Sequence, residues 1–119
     1  MSDAVNSVVI HYPKPEKIQE FRDLVLRVKN TFKHFPGNPY HHAFEVGTGE
    51  DVEIVIFEKH KDQDSLNRIH ESSEFKEIIE LAGQLIRQPP RLIQGAPLPG
   101  FEGSSKTAAA AFLVDSQWV

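Results

Sequence analysis

The chain has no cysteine, so disulfides, thiolate nucleophiles and cysteine-ligated zinc or iron-sulfur centres are excluded together. Long apolar runs are missing too. Nothing approaches the roughly 20 residues that a membrane-spanning helix needs, and no basic stretch precedes an apolar one at the start. A cytoplasmic protein without a membrane partner is expected. Positive charge is in deficit, with 13 Lys and Arg against 17 Asp and Glu, and the cations are scattered. That distribution leaves no footprint for a phosphate backbone, so nucleic acid is not an expected partner. Gly47-Thr48-Gly49 lacks the following helix that dinucleotide and P-loop fingerprints require, so no phosphate cradle is evident. There are 6 His, but none are spaced His-x-x-x-His on a helix, and no metal is expected.

What is present suits one small core. The chain has 119 residues, 39% hydrophobic with 8 Phe, which fits a single domain. A domain of this size buries only about two thirds of its unfolded surface, so a partner subunit would add stability.

Val5 to His11 is a β-branched run that stops at Pro13 and Pro15, which reads as a strand. From Glu16 the period changes. Ile18, Phe21, Val25, Val28 and Phe32 recur three or four residues apart, predicting an amphipathic helix that ends before Pro36-Gly37. Tyr40 to Val46 and Val52 to Lys59, joined by Gly47-Thr48-Gly49-Glu50, predict a β-hairpin. Asp62 is a candidate N-cap for a short helix to Ile69 or His70, and Ser72 or Ser73 opens another that carries Phe75, Ile78, Ile79, Ala82, Leu85 and Ile86. Gln88-Pro89-Pro90 is expected to end that helix, with a last strand from Arg91 to Leu98.

The order is β-α-β-β-α-α-β, an α+β ferredoxin-like unit in which helices cover one face of a four-stranded antiparallel sheet. Strand three is apolar on both parities, Ile54 and Ile56 against Val55 and Phe57, as in a strand covered on both faces. A homodimer packed sheet against sheet follows as the expectation. Residues 1–99 would form the domain and 100–119 a tail. The tail turns apolar at Ala108 to Val114 with Trp118 beyond, and is expected either to dock on the partner subunit, to cover a pocket, or to stay a free end.

Several segments together resemble the antibiotic biosynthesis monooxygenase family: Tyr12-Pro13-Lys14-Pro15-Glu16-Lys17, Phe35-Pro36-Gly37, Phe57-Glu58, and the pattern Asp62, His70, Ser73 and Phe75. The resemblance spans about residues 5 to 99. It implies a dimeric α/β barrel with a pocket between sheet and helices in each subunit, where an electron-rich aromatic phenol, quinol or polyketide-like anthrone is oxygenated by dioxygen without metal, flavin or other cofactor. Relatives in the wider superfamily close polyketide rings, degrade haem, or have no known activity. The sequence departs from the pattern at Phe35, where an acidic residue is frequent, and at His60, where an aromatic is frequent. Haem-degrading relatives carry an iron-ligating His about four residues past the position of Phe75, and Ile79 stands there.

His70 lies four residues after Leu66, which puts it on the side of its helix that faces the core. As a catalytic base it would remove a phenolic proton; the competing reading is a packing histidine bonded to backbone. Glu58 would hold the His70 ring in one tautomer, or else is a solvated strand-end carboxylate. Tyr40, His42 and Phe44 fall on one face of their strand and His41, Ala43 and Glu45 on the other. Which face meets the helices is open from sequence, and so is the direction of His11. Tyr40, His42, Phe44, His11 and Phe75 are the expected substrate contacts. The anion so formed would pass an electron to dioxygen in a dry pocket. A cyclase of the same superfamily and a non-catalytic small-molecule-binding module are the alternative functions.

Overall fold

A computed structural model describes residues 3–37 and 39–101. The tail expected to dock or to cover a pocket lies outside the described residues from Glu102 onward. The elements are β1 (Val5–Pro13), α1 (Ile18–Phe32), β2 (Tyr40–Val46), β3 (Glu53–His60), α2 (Gln63–Glu71), α3 (Ser73–Leu85) and β4 (Ile86–Gly95), with single 3-10 turns at Pro15–Lys17 and Gly49–Asp51. The expected α+β, ferredoxin-like order is the one observed. Among the described residues the sheet has four strands in the order β2-β3-β1-β4, every pair antiparallel.

Each element forms for a local reason. Pro15 opens a 3-10 turn, because its ring fixes φ and its missing N–H is not needed there, and α1 continues from it with Phe21, Leu24 and Phe32 turned inward. The Asp62 carboxylate accepts from the Ser65 N–H at 2.8 Å and caps α2. Ser72 joins the next two helices: its hydroxyl donates to the Ile69 carbonyl at 2.6 Å and accepts from the Phe75 N–H at 3.1 Å. In the hairpin turn Gly47 has φ +80°, and a Cβ there would lie 2.8 Å from the Asp51 carbonyl oxygen, so the close turn needs glycine.

The last strand corrects the reading of Pro89-Pro90. Helix α3 stops at Leu85, and β4 starts at Ile86 with both prolines inside it. Two features make that possible. Among the described residues β4 is an edge strand with one unpaired side, and its register on β1 shifts between Ile10 and Tyr12 and again between Tyr12 and Pro13. Arg87 sits at this irregularity and donates to the carbonyls of Pro13 at 2.6 Å and Val52 at 2.9 Å, tying β4 to β1 and to the start of β3.

The core lies between the sheet and the helices: Phe21, Leu24 and Phe32 from α1, Val52, Ile54 and Ile56 along β3, Ile69 from α2, and Ile78 and Ala82 from α3. Among the described residues nothing covers the other face of the sheet. Tyr40 is 54% exposed, Phe44 50% and Ile93 49%, so the second covering expected for β3 does not come from within the described residues of the chain itself.

Candidate functional site

Strand register decides which side chains meet the helices. Ile54 and Ile56 are buried under them, and directly opposed residues share a face. His41 stands opposite Glu58, Ala43 opposite Ile56 and Glu45 opposite Ile54, while Ser7 opposes Glu58 and His11 opposes Ile54 on the other side of β3. All of these therefore belong to the helix face, together with His60. Tyr40, His42 and Phe44 belong to the outer face, opposite Lys59, Phe57 and Val55. The five expected substrate contacts are thus divided: Tyr40, His42 and Phe44 outside, His11 and Phe75 on the core side.

The helix face carries a groove of about 320 Å³ between α1 and β2. Val25, Leu26 and Val28 form one wall, Ile54 and Ile56 the floor, and His41 and Ala43 the other wall, with Arg22, Lys29 and Glu45 as its charged members; His42 and Phe44 also contribute to the lining. Arg22 clasps Glu45 through Nε and, at 3.0 Å, through Nη2, a two-pronged contact that joins α1 to β2 beside the groove. The hydrogen bond from Arg22 holds the Glu45 carboxyl below its usual range.

Glu58 is the centre of a histidine cluster. One carboxylate oxygen lies 3.3 Å from His41 Nε2 and the other 3.7 Å from His60 Nε2. Side-chain exposure is 6% at His41, 19% at Glu58 and 1% at His60. Burial pushes the carboxyl up, but the contacts from His41 and then His60 outweigh it and hold the group down at about 2. The carboxylate is therefore ionised at neutral pH. Both ring nitrogens of His60 and Nδ1 of His11 are buried with no hydrogen-bond partner among the described residues. His11 packs its ring 5.0 Å from that of Phe21, and burial lowers its pKa against the opposing pull of Glu58.

His70 is placed differently from the expectation. Its helix buries Ser65, Leu66 and Ile69, and His70 lies on the exposed flank with its ring 4.7 Å from Phe75. The direction of burial runs between Leu66 and Ile69, which leaves position 70 about a quarter turn off it. Burial still lowers the His70 pKa, with Glu58 opposing and His60 adding to the shift. Phe75 is a core neighbour, 6.4 Å from the Phe32 ring. Glu58 meets His41 and His60 rather than the expected His70.

His41 and His60 are the members that the sequence reading did not assign. A signal for both existed. Once the hairpin pairs Val46 with Glu53, His41 falls opposite Glu58, and His60 follows Glu58 at the strand's period of two. Among the described residues, no group of three His, Cys, Asp or Glu side chains is placed to hold a metal ion, and no helix is long and apolar enough to cross a membrane.

Residues 7–81 match the family model described as antibiotic biosynthesis monooxygenase. Among solved structures, Rv0793 from Mycobacterium tuberculosis superposes with a TM-score of 0.72 at 21% identity, over 80% of this chain and 95% of that one. A conserved protein from Methanosarcina mazei gives 0.72 at 23% identity, over 80% and 93%. A mutant form of SnoaB, a cofactor-independent oxygenase from Streptomyces nogalater, gives 0.66 at 18% identity, over 82% and 99%. At these identities the likeness is one of fold. No curated protein matches the chain.

Proposed function

The chain belongs to the antibiotic biosynthesis monooxygenase family, and on that basis we propose that it oxygenates an electron-rich aromatic phenol, quinol or anthrone with dioxygen and without a bound cofactor. The observation that carries this reading is the apolar groove between α1 and β2, lined by the buried His41 imidazole, with the ionised, partly buried Glu58 3.3 Å behind that ring. Apolar walls suit a flat ring and keep water from a reactive anion. An imidazole beside a fixed carboxylate can accept a phenolic proton near neutral pH. The electron pair left on oxygen spreads into the ring and makes it a reductant for dioxygen. For an anthrone, the ring CH₂ becomes a carbonyl, one oxygen atom of O₂ enters the product, and the other leaves as water.

The outer face of the sheet supports a homodimer in the same reading. Tyr40, Phe44, Val46 and Ile93 are exposed there, beside Val8, Ile10, Val55 and Phe57 of the same parity. An apolar surface of that extent on one side of a small sheet calls for a cover, and an identical sheet offers a self-complementary one.

The test uses purified, metal-stripped protein with a panel of anthrones, quinols and linear polyketide mimics, under isotopically labelled dioxygen and under argon. A product that carries one labelled oxygen atom and forms only in the presence of dioxygen is expected. A product formed equally under argon would replace the oxygenase with a cyclase, and substrate bound without turnover would make the chain a binding module.

A further inference from the structure

We propose that His41 is the group that takes the proton from a phenol in the groove, with Glu58 and His60 as positioning residues behind it. The proposal rests on the oxygenase reading only for the fate of the substrate after the proton has left.

Three observations point to His41. It lines the groove between α1 and β2, while Glu58, His60, His11 and His70 do not; the other lining histidine, His42, is exposed and belongs to the outer face of the sheet. Its side chain is buried, so its ring is held by the surrounding structure. Its Nε2 lies 3.3 Å from a Glu58 oxygen, the arrangement in which a carboxylate keeps the proton on that nitrogen. A neutral imidazole protonated at Nε2 has its lone pair on Nδ1, so Nδ1 is the atom left to accept.

Glu58 has no Lys or Arg partner among the described residues. The imidazoles of His41 and His60 are the groups in reach of this partly buried carboxylate, so its charge is compensated when the neutral His41 ring takes up a proton. When His41 takes a proton, Glu58 stabilises the imidazolium, while His60, with Nε2 3.7 Å from the carboxylate's other oxygen, packs behind the pair. In the step itself the phenol O–H bond breaks, the proton goes to Nδ1, and the electron pair stays on the phenolic oxygen.

The other charged or titratable groups around the ring are few. Arg22 and Lys29 of α1 and His42 and Glu45 of β2 line the same groove, with Glu45 engaged by Arg22. His60 of β3 forms an edge-on pair with His41 at 6.1 Å between ring centroids. His11 of β1 and His70 of α2 feel the charge of Glu58 from outside the groove.

The probe is 4-nitrophenol, whose anion is yellow and whose acid form is colourless. It is titrated onto the full chain at a pH below that at which the free phenol ionises. The wild-type protein is expected to bind it as the anion. His41→Gln should lower the bound anion by roughly tenfold or more, the scale of a lost proton acceptor. Nitrogen-15 NMR should show His41 as a single tautomer, with Nδ1 unprotonated, in the wild type and as a mixture in Glu58→Gln, a readout that a purely structural carboxylate would leave unchanged. The proposal is overturned by nitrophenol that stays neutral on the wild-type protein, or by an anion that survives His41→Gln and is lost in His70→Gln. Anion formation without oxygen uptake from any anthrone would remove the oxygenase reading and keep the acceptor; oxygen uptake that persists in His41→Gln would do the reverse.

Discussion

Gly37 follows Phe35-Pro36 with φ +93°, and a Cβ built on it would lie 2.3 Å from the Ser65 hydroxyl oxygen. The turn therefore presses its backbone against α2, where only glycine fits. Gly37→Ala is expected to cost about 1–3 kcal/mol from the backbone conformation, with a further steric cost, and to lower the melting temperature by roughly 5 °C or more. Adding Ser65→Gly should recover the steric part and leave the backbone part, which thermal melts of both variants will separate.

Glu58 predicts how the fold responds to acid. Its carboxyl is held down at about 2, against an ordinary 4.5, so the unfolded chain takes up a proton that the folded one refuses. The resulting stability is present above pH 4.5, on the order of 3 kcal/mol, and disappears as pH falls toward 2. His11 acts in a higher window. Burial lowers it from 6.5, so its contribution is full above that value and declines as pH drops below it. Urea titrations should show stability falling from about pH 6.5 and more steeply below about 4.5. Glu58→Gln is expected to flatten the lower part of the profile and His11→Leu the upper part.

At the scale of elements, β4 tolerates Pro89 and Pro90 because its outer side pairs with nothing among the described residues and its inner side shifts register where they occur. Prolines on an edge also remove donors that a foreign strand would use. Replacing both by Val is expected to leave the fold in place and to raise concentration-dependent aggregation, followed by light scattering. The α2–α3 junction depends on Ser72, which serves both helices at once. Ser72→Ala should cost about 1 kcal/mol by urea unfolding, the usual loss for an N-cap. The helix caps were legible because Asp and Ser at those positions have a local cause; β4 was misplaced because its edge position is a property of the sheet, which no local pattern records.

At the scale of the molecule, the governing feature is a sheet with one face covered by helices and the other bare among the described residues. Phe44→Glu or Phe57→Glu places a charge in the middle of the outer face, away from the core beneath α1. Either is expected to halve the mass seen by sedimentation, if the wild type is the sheet-to-sheet dimer proposed above, while far-ultraviolet circular dichroism stays unchanged. A wild-type protein that sediments as a monomer at every concentration would sink the dimer. The same asymmetry divides the expected substrate contacts: Tyr40, His42 and Phe44 belong to the outer face of the sheet, His42 and Phe44 reaching the groove at its β2 edge, while His11 and Phe75 lie on the core side.

Element order, the hairpin and the inward stripes of the helices were all present in the amino-acid pattern, since each follows from periodicity and from turn and cap residues acting over a few positions. The pattern also carried the family, through short motifs whose spacing survives in the chain. Which strand face meets the helices was settled by tertiary packing, because alternation marks two faces without labelling them. That packing took His70 to an exposed flank and brought His41 and His60 to Glu58 from positions 17 and 2 residues away in the chain. A buried charge chooses its partners by distance in space, and strand pairing sets that distance.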